Sequence, residues 1–113
     1  VELPAGSGMG TARALARVYS VLAEGGAELG LTRETFEHLT APPRAIPGNE
    51  GVVRVPSHFS LGFLRPGPEV RFGSSPRAFG APGAGGAFAF ADPDRRLGFA
   101  YVMNKMAPGG GAP

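Results

Sequence analysis

The stretch from Phe79 to Met106, FGAPGAGGAFAFADPDRRLGFAYVMNKM, carries the most regular pattern in this chain. It predicts a glycine-rich approach, a strand, a tight turn and a return strand. Alanine and phenylalanine alternate from 87 to 91, which is the period of a strand. Asp92-Pro93-Asp94-Arg95 then supplies a side-chain acceptor at the first turn position and a fixed φ at the second, which favours a type I turn. We therefore predict a β-hairpin with this tetrapeptide at its tip.

The return strand of this hairpin separates large side chains from small ones. In antiparallel pairing the hairpin has one bulky, aromatic face and one face of small residues. We expect a helix to approach the small face closely and a further layer to cover the aromatic face. This arrangement is typical of a layered α/β or α+β domain. The large residues are Leu97, Phe99, Tyr101 and Met103, and the small face holds Gly98, Ala100 and Val102.

Two helices are predicted before the hairpin. The longer helix begins after Thr11, a good N-cap residue, and ends at Gly25-Gly26. The shorter one, within Leu31–Thr40, is capped by Thr32 and stopped by Pro42-Pro43. We expect the longer helix to bury Ala12, Leu15, Ala16, Tyr19, Leu22 and Ala23 and to expose Arg13, Arg17, Ser20 and Glu24. We expect the shorter helix to bury Phe36 and Leu39, while His38 stays on the surface.

A third strand is predicted from Phe59 to Leu64, where apolar and small residues alternate, and Arg65-Pro66-Gly67-Pro68 closes it. We interpret 41–56 and 70–80 as loops because both are rich in Pro, Gly and polar residues. The expected sheet therefore has about three antiparallel strands.

The chain has 113 residues, with 19 Gly and 12 Pro, which suits one small domain with a thin core. It starts at Val1 rather than Met and ends in a Gly/Pro-rich tail, residues 108–113, that we expect to be disordered. We expect the sequence to be a piece of a larger protein. The compartment and the oligomeric state are not indicated.

Charge and composition argue against several functions. The net charge is +2, from 11 basic and 9 acidic residues, and only Arg95 and Arg96 are adjacent, so no nucleic-acid surface is expected. There is no Cys, and His38 and His58 do not form a recognisable zinc pattern, so we expect no metal and no cofactor. No apolar run is long enough to span a membrane.

Familiar catalytic motifs are absent from this sequence. Ser-x-x-Lys fails because Val102 stands three residues before the sole lysine, Lys105, and Tyr-x-Asn fails at both tyrosines. The nucleophile-elbow pattern Gly-x-Ser-x-Gly is not met at Ser7, because Ala5 and Met9 stand at its two glycine positions. We interpret Asp92 and Asp94 as hairpin-tip residues rather than an acid/base pair, and His58 as structural.

The segment Gly6–Thr11, GSGMGT, precedes a helix and invites a phosphate-binding interpretation. The details argue against it, because the dinucleotide fingerprint needs Gly where Thr11 stands and a P-loop needs a following Lys. A flexible lead-in to a core helix is favoured, and a small nucleotide-binding domain is kept as an alternative.

Several blocks, in order along the chain, together resemble the C-terminal third of the serine β-lactamase-like superfamily, in its class C β-lactamase and family VIII carboxylesterase branch. The resemblance spans roughly Gly10 to Met106. The blocks are GTARALARVY at 10–19, FSLGF at 59–63, FGAPGAGG at 79–86, FADP at 90–93 and GFAYVMN at 98–104.

The resemblance implies an α+β fold: the C-terminal portion of a β-lactamase/transpeptidase-like domain, here residues 1–107. In that family the Ser-x-x-Lys and Tyr-x-Asn motifs would lie upstream of Val1. The Lys-Thr-Gly or His-x-Gly element maps onto Ala81-Pro82-Gly83, so Ala81 departs from the usual Lys or His. The backbone N–H of Ala84 would be an oxyanion-hole donor, which needs an amide that substrate can approach closely.

We therefore expect a fragment of a serine hydrolase, an esterase or β-lactamase-like enzyme that forms an acyl-enzyme on a small-molecule ester or amide. The isolated chain is expected to be inactive because its nucleophile is missing. A catalytically dead relative that serves as a binding or scaffold domain is the alternative within the same family.

Overall fold

The structure, a computed structural model, describes residues 8–42, 58–68 and 70–106. The predicted tail, Gly6 and Ser7, and most of the loop predicted at 41–56 therefore lie outside the described residues. The elements are helix α1 (Ala12–Ala23), a 3₁₀ turn (Ala27–Leu29), helix α2 (Arg33–Thr40), and strands β1 (Phe59–Ser60), β2 (Phe63–Leu64), β3 (Phe79–Pro82), β4 (Phe88–Asp92) and β5 (Leu97–Tyr101).

The strands form one antiparallel sheet in the order β1-β2-β3-β4-β5, which confirms the α+β class with its two helices. The expected strand count of about three was too low. The segment predicted as a third strand is a hairpin, because Leu61 and Gly62 take positive φ of 46° and 86° and reverse the chain. The predicted loop at 70–80 was also too long, because β3 begins at Phe79.

The hairpin of β4 and β5 is confirmed. Its register pairs Phe90 with Phe99 and Asp92 with Leu97, and the Arg95 N–H closes the turn on the Asp92 carbonyl at 3.3 Å. The Asp92 carboxylate is buried and accepts from Ser74 N at 2.6 Å and from Ser74 Oγ at 3.1 Å. Asp92 is thus a structural residue that joins the turn to the loop before β3.

Helix α1 packs on the small face of the hairpin, as predicted. A Cβ on Gly98 would overlap the backbone of the helix at Ser20 N and Ala16 O, so glycine alone permits this approach. The prediction that Ser20 faces solvent was therefore wrong, since Ser20 lies over Gly98 and its hydroxyl donates to the Ala16 carbonyl at 2.8 Å. The core beneath the helix contains Tyr19, Leu22, Ala23, Leu39, Phe79, Ala89 and Ala91.

Both predicted N-caps are present. Thr11 Oγ1 accepts from Ala14 N and Thr32 Oγ1 from Thr35 N, each at 3.1 Å. Leu39 is buried, whereas the His38 side chain is exposed and faces Glu34, with its Nε2 3.9 Å from the carboxylate. The capped first turns account for where α1 and α2 begin.

The aromatic face of the sheet is only partly covered by the described residues. Phe72 packs edge-on against Phe88 at a centroid distance of 5.1 Å and tilted against Phe90 at 5.4 Å. Phe99 and Tyr101 keep 42% and 38% of their surface exposed. The layer expected over this face is therefore incomplete in the part of the chain described.

Candidate active site

Among the residues that the structure describes, no strand pairs with the β2-side edge of strand β3 beyond Gly80. Its only pairing with β2 joins Gly80 to Leu64, while β4 follows it as far as Pro82. Gly83 N donates to Ala87 O at 2.7 Å, so the main-chain groups of Gly83 point towards β4. By the alternation of an antiparallel ladder, those of Gly80 and Pro82 point to the opposite edge. Ala81 and Pro82 are exposed there, and Pro82 removes no ladder hydrogen bond at that edge.

The glycines of this segment stand where a side chain would clash with neighbouring atoms or would strain the backbone. A Cβ on Gly80 would overlap the backbone of Ala89 and the Cβ of Phe90. Gly85 and Gly86 have φ of 86° and 115°, which only glycine adopts readily, and a Cβ on Gly85 would collide with Met106. The sharp return from β3 to β4 thus depends on these glycines.

The residues predicted for the site, Ala81-Pro82-Gly83 and Ala84, lie together at the end of β3. Ala84 is exposed and makes an isolated β-bridge beyond the last residue of the strand. Ala81 is also exposed and contributes no ionisable group. The chemistry that this segment can offer comes from its main chain.

Arg65 is a buried residue that sequence reasoning missed. Arg65 comes directly after β2 and is 1% exposed. Its guanidinium donates all of its N–H groups to main-chain oxygens at the end of helix α2 and in the loop before β3. The single hint in the sequence was an arginine placed between an apolar strand and Pro66. The acceptors are Ala78 O for Nε, Leu39 O and Ala41 O for Nη1, and Thr40 O and Pro76 O for Nη2.

This cluster of carbonyls is partly a helix C-terminus, where a cation is favoured. Burial, and then the neighbouring charge of Arg77, lower the pKa of Arg65 from its ordinary value. Burial also raises the pKa of Tyr19 in the core beneath α1. Arg65 ties α2, β2 and the start of β3 together, and it thereby positions the strand that carries Ala81 and leads to Ala84.

The other candidate residues have structural roles. Asp94 pairs with Arg77, with Oδ1 and Nη1 2.8 Å apart. His58 precedes β1, and its carbonyl accepts from Arg65 N at 2.7 Å. At the N-terminus of α1 the hydroxyl of Thr11 already takes the Ala14 N–H, one of the amides that a bound phosphate would need.

Two cavities formed by described residues lie away from Ala84. One, of about 330 Å³, is lined by Thr40, Pro42, Arg65 and Arg77 among others, and the other, of about 320 Å³, by Arg71, Phe72 and Ser74 among others. Among the described residues there is no cluster of His, Asp and Glu that could hold a metal ion. No helix within them is both long and apolar enough to cross a membrane.

Comparison with known proteins gives matches along nearly the whole chain. The sequence model of the Beta-lactamase family matches residues 1–113. A curated relative, the esterase/beta-lactamase LipL of Mycobacterium tuberculosis (strain ATCC 25618 / H37Rv), is 36% identical over 108 residues, covering 93% of this chain and 24% of the relative.

Solved structures give the same result. A penicillin-binding protein homologue from Caulobacter crescentus is 39% identical with a TM-score of 0.71, covering 85% of this chain and 26% of the homologue. A family VIII carboxylesterase is 35% identical with a TM-score of 0.72, covering 88% and 27%. EstA from Arthrobacter nitroguajacolicus Rue61a is 35% identical with a TM-score of 0.71, covering 88% and 27%. The chain thus spans about a quarter of the length of these proteins.

Proposed function

This chain belongs to the Beta-lactamase family, and from that premise we propose that it is the C-terminal part of a serine hydrolase that cleaves a small-molecule ester through an acyl-enzyme. The observation that carries the proposal is the exposure of Ala84 in a glycine-rich stretch at the end of β3, beside an edge with which no described strand pairs beyond Gly80. Residues 1–107 belong to the hydrolase domain in this proposal. The attacking serine, its lysine and a proton-shuttling tyrosine come from the rest of the protein.

In this proposal the Ala84 N–H is one donor of the oxyanion hole. The main-chain groups of Pro82 face the β2-side edge of β3, and continued alternation turns the amide of Ala84 to the same side. Ala84 is exposed and Gly83 before it has no side chain, so a carbonyl oxygen can approach the Ala84 amide. A fixed main-chain donor aimed at the developing negative charge stabilises the tetrahedral intermediate.

Ala81 favours ester substrates over β-lactams. A cationic side chain at this position would attract the carboxylate of a β-lactam, and alanine offers no charge. A neutral ester has no carboxylate for a cation to attract, so alanine in place of a cationic residue weakens its binding less. The same alanine keeps open the alternative of a family member that binds substrate without turning it over.

The function is tested by hydrolysis of p-nitrophenyl esters by the full-length protein. We expect hydrolysis that falls by at least about a thousandfold when the serine of an upstream Ser-x-x-Lys is replaced by alanine. Ser60→Ala is the matched control, because the hydroxyl of the half-buried Ser60 donates to the His38 carbonyl at 3.3 Å and to no other described residue; it should retain activity within about twofold.

Two results would contradict the proposal. One is a folded full-length protein that hydrolyses no ester, which would favour the binding-domain alternative. The other is ester hydrolysis that persists after the upstream serine is replaced. The isolated 113-residue chain should show no hydrolysis in the same assay.

A further inference from the structure

The side chain of Met106 packs on the turn that follows Ala84. Gly85 has a φ of 86°, and a Cβ on it would lie 2.6 Å from Met106 Cε, 2.9 Å from Cγ and 3.0 Å from Cβ. The methionine therefore fills the space that any side chain at position 85 would need. Because consecutive Cα atoms are about 3.8 Å apart, this contact places Met106 Cε within about 8 Å of the Ala84 Cα.

The sulfur of Met106 takes part in this contact and faces solvent at the same time. It is bonded to Cγ and Cε, and both of these atoms lie against Gly85. An unbranched thioether can lie along a glycine backbone in this way, because no Cβ stands between them. Met106 is also 68% exposed, so a small solute can reach its side chain.

A thioether that is open to solvent reacts with peroxides. The sulfur gives an electron pair to one oxygen of hydrogen peroxide, the O–O bond breaks, and the products are the sulfoxide and water. The sulfur is oxidised by two electrons and the peroxide is reduced by two. The flexible apolar side chain becomes polar and gains an oxygen that accepts hydrogen bonds.

The turn beneath Met106 is held by few bonds of its own. Gly86 N donates to Gly83 O at 3.3 Å, which is long for a main-chain hydrogen bond. A sulfoxide oxygen against Gly85 is bulkier than the bare sulfur, and it offers the N–H groups of the turn a competing acceptor. Oxidation of Met106 therefore acts directly on residues 83–86.

From this contact we propose that Met106 is an oxidation site that controls activity, because its sulfoxide displaces residues 83–86 and with them the Ala84 amide. The inference rests on the proposed function, since it needs that amide in the oxyanion hole. A small displacement is enough, because an error of about 1 Å in position can cost a factor of about a hundred in rate. Methionine sulfoxide reductases reverse the modification, so the activity is recoverable.

The test treats the full-length protein with hydrogen peroxide. Sulfoxide at each methionine is measured by peptide mass spectrometry, the turn by amide hydrogen exchange of a peptide containing 83–86, and activity by p-nitrophenyl acetate hydrolysis relative to the same untreated protein. As Met106 is oxidised, we expect hydrolysis to fall by at least about tenfold and exchange at 83–86 to become faster. Both should return after treatment with methionine sulfoxide reductases.

Two leucine variants separate Met106 from other oxidised residues. Met106→Leu removes the sulfur but keeps an apolar side chain, so it should keep its own untreated rate through the same treatment. Met9→Leu is the matched control, because Met9 is 100% exposed and packs on no described residue. It should lose activity as the wild type does.

The proposal is overturned if Met106 stays unoxidised while Met9 is oxidised, or if its oxidation leaves either hydrolysis or the exchange at 83–86 unchanged. It is also overturned if Met106→Leu loses activity as the wild type does. An untreated wild type that hydrolyses no ester refutes the proposed function instead, and the exchange measurement then still decides whether oxidation displaces the turn. The two failures are thus distinguishable.

Discussion

Arg65 places a charge inside the domain without a carboxylate among its hydrogen-bond partners. Its acceptors are main-chain oxygens from residues as far as 26 positions away, including Leu39, so no local pattern could have predicted the burial. Ala84 was predicted because a resemblance pointed to it, and its exposure at the end of β3 is compatible with the assigned role. A residue whose hydrogen-bond partners are distant in sequence is thus harder to predict than a residue inside a recognisable motif.

Replacing Arg65 should be costly. In Arg65→Met the side chain keeps much of its bulk, but the carbonyls that surrounded the guanidinium lose their donors. We expect the free energy of unfolding to fall by about 3 to 5 kcal/mol in urea denaturation of the full-length protein. Arg71→Met, at an exposed arginine after the same strand, should change it by less than about 0.5 kcal/mol. Equal effects of the two changes would show that the buried hydrogen bonds contribute nothing.

Among the elements, the β4–β5 hairpin was predicted well because its signals are local. Alternating residues and the Asp92–Arg95 turn lie next to one another in the sequence, and the register confirms them. The β1–β2 hairpin was read as one strand because Leu61-Gly62 is not a usual hairpin turn sequence. Ser20 was misplaced because helical periodicity treats a hydroxyl as polar, whereas here it bonds its own helix and sits on a glycine.

The contact between α1 and β5 leads to a further prediction. In Gly98→Ala the new Cβ would overlap the backbone of α1 at Ser20 and Ala16, which has no flexible side chain to move aside. We expect the free energy of unfolding to fall by at least about 2 kcal/mol as the helix is displaced from the sheet. Gly10→Ala is the control, because nothing lies within 4 Å of a Cβ there. A Gly98→Ala protein as stable as Gly10→Ala would show that the helix is not held this close.

For the whole molecule, the residue pattern predicted a layered α/β or α+β domain with a helix on the small face of the sheet, and the family resemblance implied the α+β class. They did not give the five-stranded order, because β1, β2 and β3 are short and the pairing of β2 with β3 joins Leu64 to the distant Gly80. The candidate site was located by its motif, and the edge of β3 with which no described strand pairs beyond Gly80 became visible only in the fold. The chain covers about a quarter of the related structures, 26% and 27%.

The account as a whole depends on the amide of Ala84 acting on the substrate. Ala84→Pro removes that N–H, while Ala84→Ser keeps it with a side chain of similar size. The decisive measurement is the acylation rate of the full-length protein with p-nitrophenyl acetate, followed by stopped-flow release of p-nitrophenol. We predict a rate lower by about a hundredfold to a thousandfold in Ala84→Pro and nearly unchanged in Ala84→Ser, with both proteins folded. Acylation of Ala84→Pro at the wild-type rate would contradict the account.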